Sequence, residues 1–139
     1  MVNTLDMQDL RHLNLFNKVT QISTRFCFSY NNSIIFCVPK HLLFKAIGKE
    51  GINIRRIGEI VGKNIKVIPQ PRGIQDAKVF IKSIVTPVTF KDLEITENEI
   101  IITAGGTQNK AALLGRNKQR LQEMQVITKG FFGKEYRVA

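Results

Sequence analysis

The sequence predicts an α+β fold built twice over. Each copy runs helix–strand–strand–helix–helix–strand, with a three-stranded sheet covered by helices on one face. Three observations predict it. The apolar spacing switches between a period near 3.6 and a period of two, in the same order on either side of one break. That break, PQPRG at residues 69–73, holds two prolines and a glycine and nothing to bury. Motifs also recur at a fixed offset. Ile47-Gly48 is matched by Leu114-Gly115, and Ile54, Ile57 and Ile60 by Leu121, Met124 and Ile127, 67 residues on. VGKNIKV is matched by FGKEYRV 71 residues on, so the last helix of the second copy should be about one turn longer. The expected division is 1–69, a linker at 70–73, and 74–139.

In the first copy, Asn3 can cap a helix with Asp6 in its first turn, and Leu10, Leu13 and Phe16 give it an apolar side. Arg25 to Tyr30 and Ser33 to Val38 alternate around Asn31-Asn32 as a hairpin. Pairing around position 32 would put Phe26, Phe28, Tyr30, Ile34, Phe36 and Val38 on one face. Pro39 suits the start of the next helix, in which Leu42, Leu43, Ala46 and Ile47 share a side. After Gly-Lys-Glu-Gly a further helix carries Ile54, Ile57 and Ile60 inward and ends at Gly62. KNIKVI is the third strand. In the second copy Ala77, Phe80, Ile81 and Ile84 mark the first helix. VTFKDLEI and EIIIT form a hairpin around Glu97-Asn98, with a bulge between Phe90 and Leu93. TQNKAALLG and QRLQEMQVITKGFF are helices, and KEYRV closes the sheet.

The chain has 139 residues, and its 21 Lys and Arg against 11 Asp and Glu give +10. Such a balance favours a polyanionic partner. No run of residues approaches the length of a membrane span. The N-terminus lacks a basic start followed by an apolar run, so an intracellular, cytoplasmic protein is expected. Position sharpens the charge: Lys40, Lys45, Lys49, Arg55, Arg56, Lys63 and Lys66 surround the first glycine break, while Asp92, Glu94, Glu97 and Glu99 cluster elsewhere. No catalytic constellation appears. His12 and His41 lack ligating partners in sequence, and the acids of 92–99 alternate as a solvated face would. Neither an enzyme, a metal site, a cofactor nor a small-molecule substrate is expected.

AIGKEGINIRRI, residues 46–57, carries the functional expectation. Gly48 and Gly51 let the backbone turn sharply and approach a ligand. The helix that starts there presents free N–H groups and a positive dipole end. Lys49, Arg55 and Arg56 add full charge, and Glu50 is the one residue of the wrong sign. Backbone donors beside an apolar groove suit a short single strand, with phosphates on the loop and bases in the groove. Ile47 and Ile54 have two readings, groove wall or core, as do Leu114 and Leu121. Gly48 and Gly51 likewise have a plain reading as helix punctuation.

AIGKEGINIRRI resembles the GxxG signature of a KH domain, a small RNA-binding module, and the element order resembles its type II form. Two such domains in tandem resemble archaeal NusA-like proteins over about residues 4–138. The resemblance implies single-stranded RNA binding in transcription termination or antitermination, with RNA polymerase as a candidate partner. Carried over by position, the loops are Gly48, Lys49, Glu50 and Gly51, and Gly115, Arg116, Asn117 and Lys118, with Arg120 adding charge. Lys118 departs from the pattern, since it stands where a glycine should; Asn117 is expected to take the left-handed conformation in its place. The chain leaves no room for the additional domains of bacterial factors, so contacts made by those are not carried over. Two alternatives use the same residues differently. One is a ribosome-associated or ribosome-assembly KH protein. The other is an adaptor docking on RNA polymerase through the acidic hairpin.

Cys27 and Cys37 lie opposite each other if the hairpin pairs around position 32. Free thiols and a cross-strand disulfide are both open on that geometry.

Overall fold

The protein, described by a computed structural model over residues 7–139, divides into two compact units, one ending at Gln70 and one running from Pro71 to Ala139. The expected cap Asn3 and the first-turn Asp6 lie outside the described residues. The first unit holds α1 (Met7–Thr20), β1 (Phe26–Tyr30), β2 (Ser33–Val38), α2 (Leu43–Ile47), α3 (Ile52–Val61) and β3 (Asn64–Pro69). The second holds α4 (Ala77–Val85), β4 (Asp92–Ile95), β5 (Glu99–Thr103), α5 (Thr107–Leu114), α6 (Gln119–Phe132) and β6 (Glu135–Val138). In both, the first two strands pair antiparallel and the third runs parallel to the second, giving the orders β1-β2-β3 and β4-β5-β6. The α+β class and the element order are as expected.

The punctuation residues act locally as their chemistry dictates. Pro39 opens a single 3-10 turn, Lys40–Leu42, that leads into α2. Gly62 and Gly133 close α3 and α6 in the left-handed conformation, at φ 77° and 66°. α3 has 10 residues and α6 has 14, so the expected extra turn is present. Beyond β3 the chain is tied down: the Gln70 N–H donates to the Val38 carbonyl at 2.8 Å, and Arg72 grips Asp76 through two side-chain bonds of 2.9 and 3.0 Å.

The core of the first unit lies between the sheet and α1–α3. Phe16 and Phe36 are fully buried and stack with centroids 4.4 Å apart. Cys27, Ile34, Val38, Ala46, Ile57 and Val67 pack around them. In the second unit Ala77, Phe80, Ile81 and Ile84 are all buried, as expected.

Four expectations are corrected. The hairpin register differs by one residue: Cys27 pairs with Phe36 and Tyr30 with Ser33. Asn31 and Asn32 both have positive φ, 51° and 59°, so they form a two-residue turn whose flanking residues must pair directly. One residue of slip exchanges faces, so Cys27, Ile34, Phe36 and Val38 face the helices, while Phe26, Phe28, Tyr30 and Cys37 share the other side. Leu10 is 46% exposed. Steps of three residues drift by about 60° around a helix, and two such steps carry Leu10 well away from Phe16. Ile60 is 62% exposed and Val61 packs in its place; a step of four from Ile57 keeps the face better than a step of three. β4 begins only at Asp92, so Val88 and Phe90 lie outside it, though the Lys91 N–H still donates to Thr103 at 2.8 Å.

The register decides the cysteines. Cys27 and Cys37 form no disulfide and point to opposite faces of the sheet, so a bond between them would need the strand to turn over. Burial pushes the Cys37 thiol well above its usual range, with nearby Cys27 adding to the effect. Both cysteines should therefore react as thiols when the protein is unfolded without reductant, and a thiol titration giving none would contradict this register.

Candidate nucleic-acid interface

The two glycine breaks are the same corner built twice. α2 ends at Gly48 (φ 81°, ψ 165°), Glu50 is left-handed (56°, 27°), and Gly51 (72°, 22°) leads into α3. α5 ends at Gly115 (77°, 172°), Asn117 is left-handed (56°, 28°), and Lys118 (59°, 28°) leads into α6. The hydrogen bonds repeat as well. Gly48 N–H donates to the Phe44 carbonyl at 3.0 Å and Gly115 N–H to Ala111 at 2.9 Å. Gly51 N–H and Lys118 N–H return to the Gly48 and Gly115 carbonyls at 3.0 and 3.1 Å.

Lys118 is thus left-handed in addition to Asn117, not relieved by it. The space at Gly51 explains how this is tolerated. A Cβ there would meet nothing within 4 Å, so a side chain is penalised only by its backbone angles, by roughly 1–2 kcal/mol. The first glycine is different. A Cβ on Gly48 would sit 2.9 Å from Asn53 Cγ, and one on Gly115 2.7 Å from Arg120 Cγ.

Those two crowding side chains do the same job. Asn53 Nδ2 donates to the Lys45 carbonyl at 3.2 Å, and an Arg120 guanidinium nitrogen donates to the Ala112 carbonyl at 2.9 Å. Each staples the start of the second helix to the last turn of the first. Asn53 was missed by sequence reasoning, although it stands 67 residues before Arg120. Arg120, expected on phosphate, is half-buried and holds its own corner.

Lys49, Glu50, Arg55 and Arg56 are exposed around the first corner, and Arg116, Asn117 and Lys118 around the second. Each unit also has a groove where its second corner helix meets its third strand. In the first, of about 670 Å³, Ile54, Arg55, Lys63 and Ile65 are among the lining residues. Ile47 and Ile54 both pack against the core as well. In the second, of about 570 Å³, Leu114 and Leu121 are among the lining residues, with Lys110, Lys118 and Arg137 beside them. Lys110 was legible as the residue four before Leu114 on one helix face. Arg137 lies on the closing strand, 3.4 Å from Glu99, and no sequence pattern marks it. At the acidic hairpin, Lys134 Nζ donates to the Thr96 and Glu97 carbonyls at 2.7 and 2.6 Å.

One grouping departs from the expected lack of ligating partners. Donor atoms of Asp9, His12 and Cys27 lie within 4.8 Å of one another. His12 and Cys27 are buried. Among the described residues no helix is long and apolar enough to cross a membrane.

Fold and site define a class: a duplicated α+β chain with a stapled helix corner beside a groove in each half. No protein-family model matches the chain. Among curated proteins it is 29% identical over 100 residues to the "Probable transcription termination protein NusA" of Methanococcus vannielii, covering 70% of this chain and 56% of that protein. It is 26% identical over 95 residues to the protein of the same name from Halococcus morrhuae, covering 68% of this chain and 66% of that one. The match thus spans less than two thirds of either relative. The crystal structure of APE1850 matches with a TM-score of 0.67 at 24% identity, over 96% of this chain and 99% of that one, a likeness of fold. In sequence the chain is thus similar to archaeal proteins named NusA, the likeness that its motifs imply.

Proposed function

We propose that the chain is a pair of type II KH domains, about 1–69 and 74–139, that binds single-stranded RNA in transcription termination or antitermination, in the cytoplasm. The observation that carries this reading is the repeated corner. One backbone path, with its glycine, its staple and its exposed cations, occurs twice in a chain of net charge +10. The names of the relatives supply the process. Lys49, Arg55 and Arg56 hold phosphates at the first corner, and Arg116 and Lys118 at the second. Gly48 and Gly115 let backbone N–H groups approach the strand. Ile54, Leu114 and Leu121 wall the grooves. The proposed chemistry is binding: apart from Glu50, the polar groups at the corners are cations and amides, which suit an anion.

The test is titration of fluorescent single-stranded RNA with wild type and with Lys49→Asp/Glu50→Asp, at several salt concentrations. The variant should lose about tenfold or more in affinity, and its salt slope should fall by about one phosphate contact. Equal binding by both proteins would make the first break a helix corner only. Stronger effects from charge reversal at Glu94 and Glu97 would favour the adaptor.

A further inference from the structure

We propose that the first corner also carries a stacking shelf for an unpaired nucleobase, made by Phe44 with Ile52 nearby, and that the second corner lacks one. This deepens the RNA-binding reading and rests on it. Phe44 is 86% exposed, more than any other large apolar side chain among the described residues. It sits on α2, whose Leu43, Ala46 and Ile47 pack inward, one turn before Gly48, which donates to its carbonyl. Ile52 is 44% exposed on the other side of the corner, close enough that a Cβ on Gly48 would lie 3.0 Å from its Cγ2. Gly48 is therefore flanked by two apolar groups in water.

A single exposed apolar residue is ordinary, so the weight falls on two further facts. The fold does not require these groups. The positions 67 residues on are Ala111 and Gln119, and the second corner has the same backbone without them. The surroundings also select the occupant. Lys40, His41, Lys45 and Lys49 are exposed on the same segment, and the chain has no Asp or Glu between Asp9 and Glu50. An aromatic face set among cations fits a base whose phosphates lie alongside. Every base offers a π-face, so a shelf of this kind tolerates any sequence.

The chain contains no tryptophan, so Phe44→Trp places a single reporter on the shelf. A single-stranded adenosine RNA of roughly ten nucleotides, a typical length for such sites, should change its emission. An abasic sugar-phosphate oligomer of the same length should not. Phe44→Ala should weaken RNA binding about five- to hundredfold, the range for loss of one stacked base, and leave the salt slope unchanged. Unchanged tryptophan emission on bound RNA, an equal response to the abasic oligomer, or wild-type affinity in Phe44→Ala would each overturn the shelf. The last result would leave a protein as the occupant. Binding that needs Lys49 but ignores Phe44 defeats the shelf alone, whereas wild type that binds no RNA defeats the RNA-binding reading with it.

Discussion

Gly48→Ala should destabilise the first unit by about 2–3 kcal/mol, seen as a lower midpoint in urea unfolding. Two causes act together. At φ 81° and ψ 165° the backbone lies where residues other than glycine are penalised by roughly 1–3 kcal/mol. The new Cβ would also press on Asn53 Cγ at 2.9 Å and Ile52 Cγ2 at 3.0 Å. Asn53 can yield only by weakening its bond to the Lys45 carbonyl. Gly51→Ala is the control: φ is 72° but nothing lies within 4 Å, so only the backbone penalty of roughly 1–2 kcal/mol remains. Equal losses from the two substitutions would show that crowding at Gly48 is unimportant. Gly115→Ala should follow Gly48→Ala, since its Cβ would approach the Arg120 backbone nitrogen at 3.0 Å as well as its side chain.

Phe36→Ala should be more damaging still, at about 3–5 kcal/mol, the range for removing a buried aromatic. Phe36 is fully buried, stacks on Phe16 at 4.4 Å, and sits on the central strand of its sheet. The cavity left behind is bounded by a helix on one side and paired strands on the other, and neither can collapse cheaply. Urea unfolding measures the loss, and a value below about 1 kcal/mol would contradict the burial of Phe36 against Phe16.

Much of the fold was legible because glycine and proline punctuate it. The ends of α3 at Gly62 and of α6 at Gly133, and the corners opened by Gly48 and Gly115, follow from residues whose backbone preferences leave little choice. The hairpin register was not legible, for a physical reason. Ile34 to Val38 are buried without interruption, so apolar alternation cannot say which face is inward, and the two-residue geometry of Asn31-Asn32 decides it. The corners were legible as loops but not as stapled structures. Asn53 reads as an ordinary polar helix residue and Arg120 as one more cation, until each is seen to donate to a carbonyl eight residues back. Phe44 was illegible for a third reason. On a helix of five residues, the period is too short to say which way one aromatic points.

The unequal lengths of α3 and α6 bear on how such a duplicated chain can diverge. Four added residues advance a helix by about 400° and 6 Å, so the chain leaves it only about 40° out of phase. The strand that follows can still join the sheet in parallel, as β6 does beside β5. Two added residues would turn the exit to the opposite side and orphan that strand. Insertions in this helix should therefore survive selection in steps of whole turns, which lets one copy lengthen while its corner, lying upstream, stays as it was.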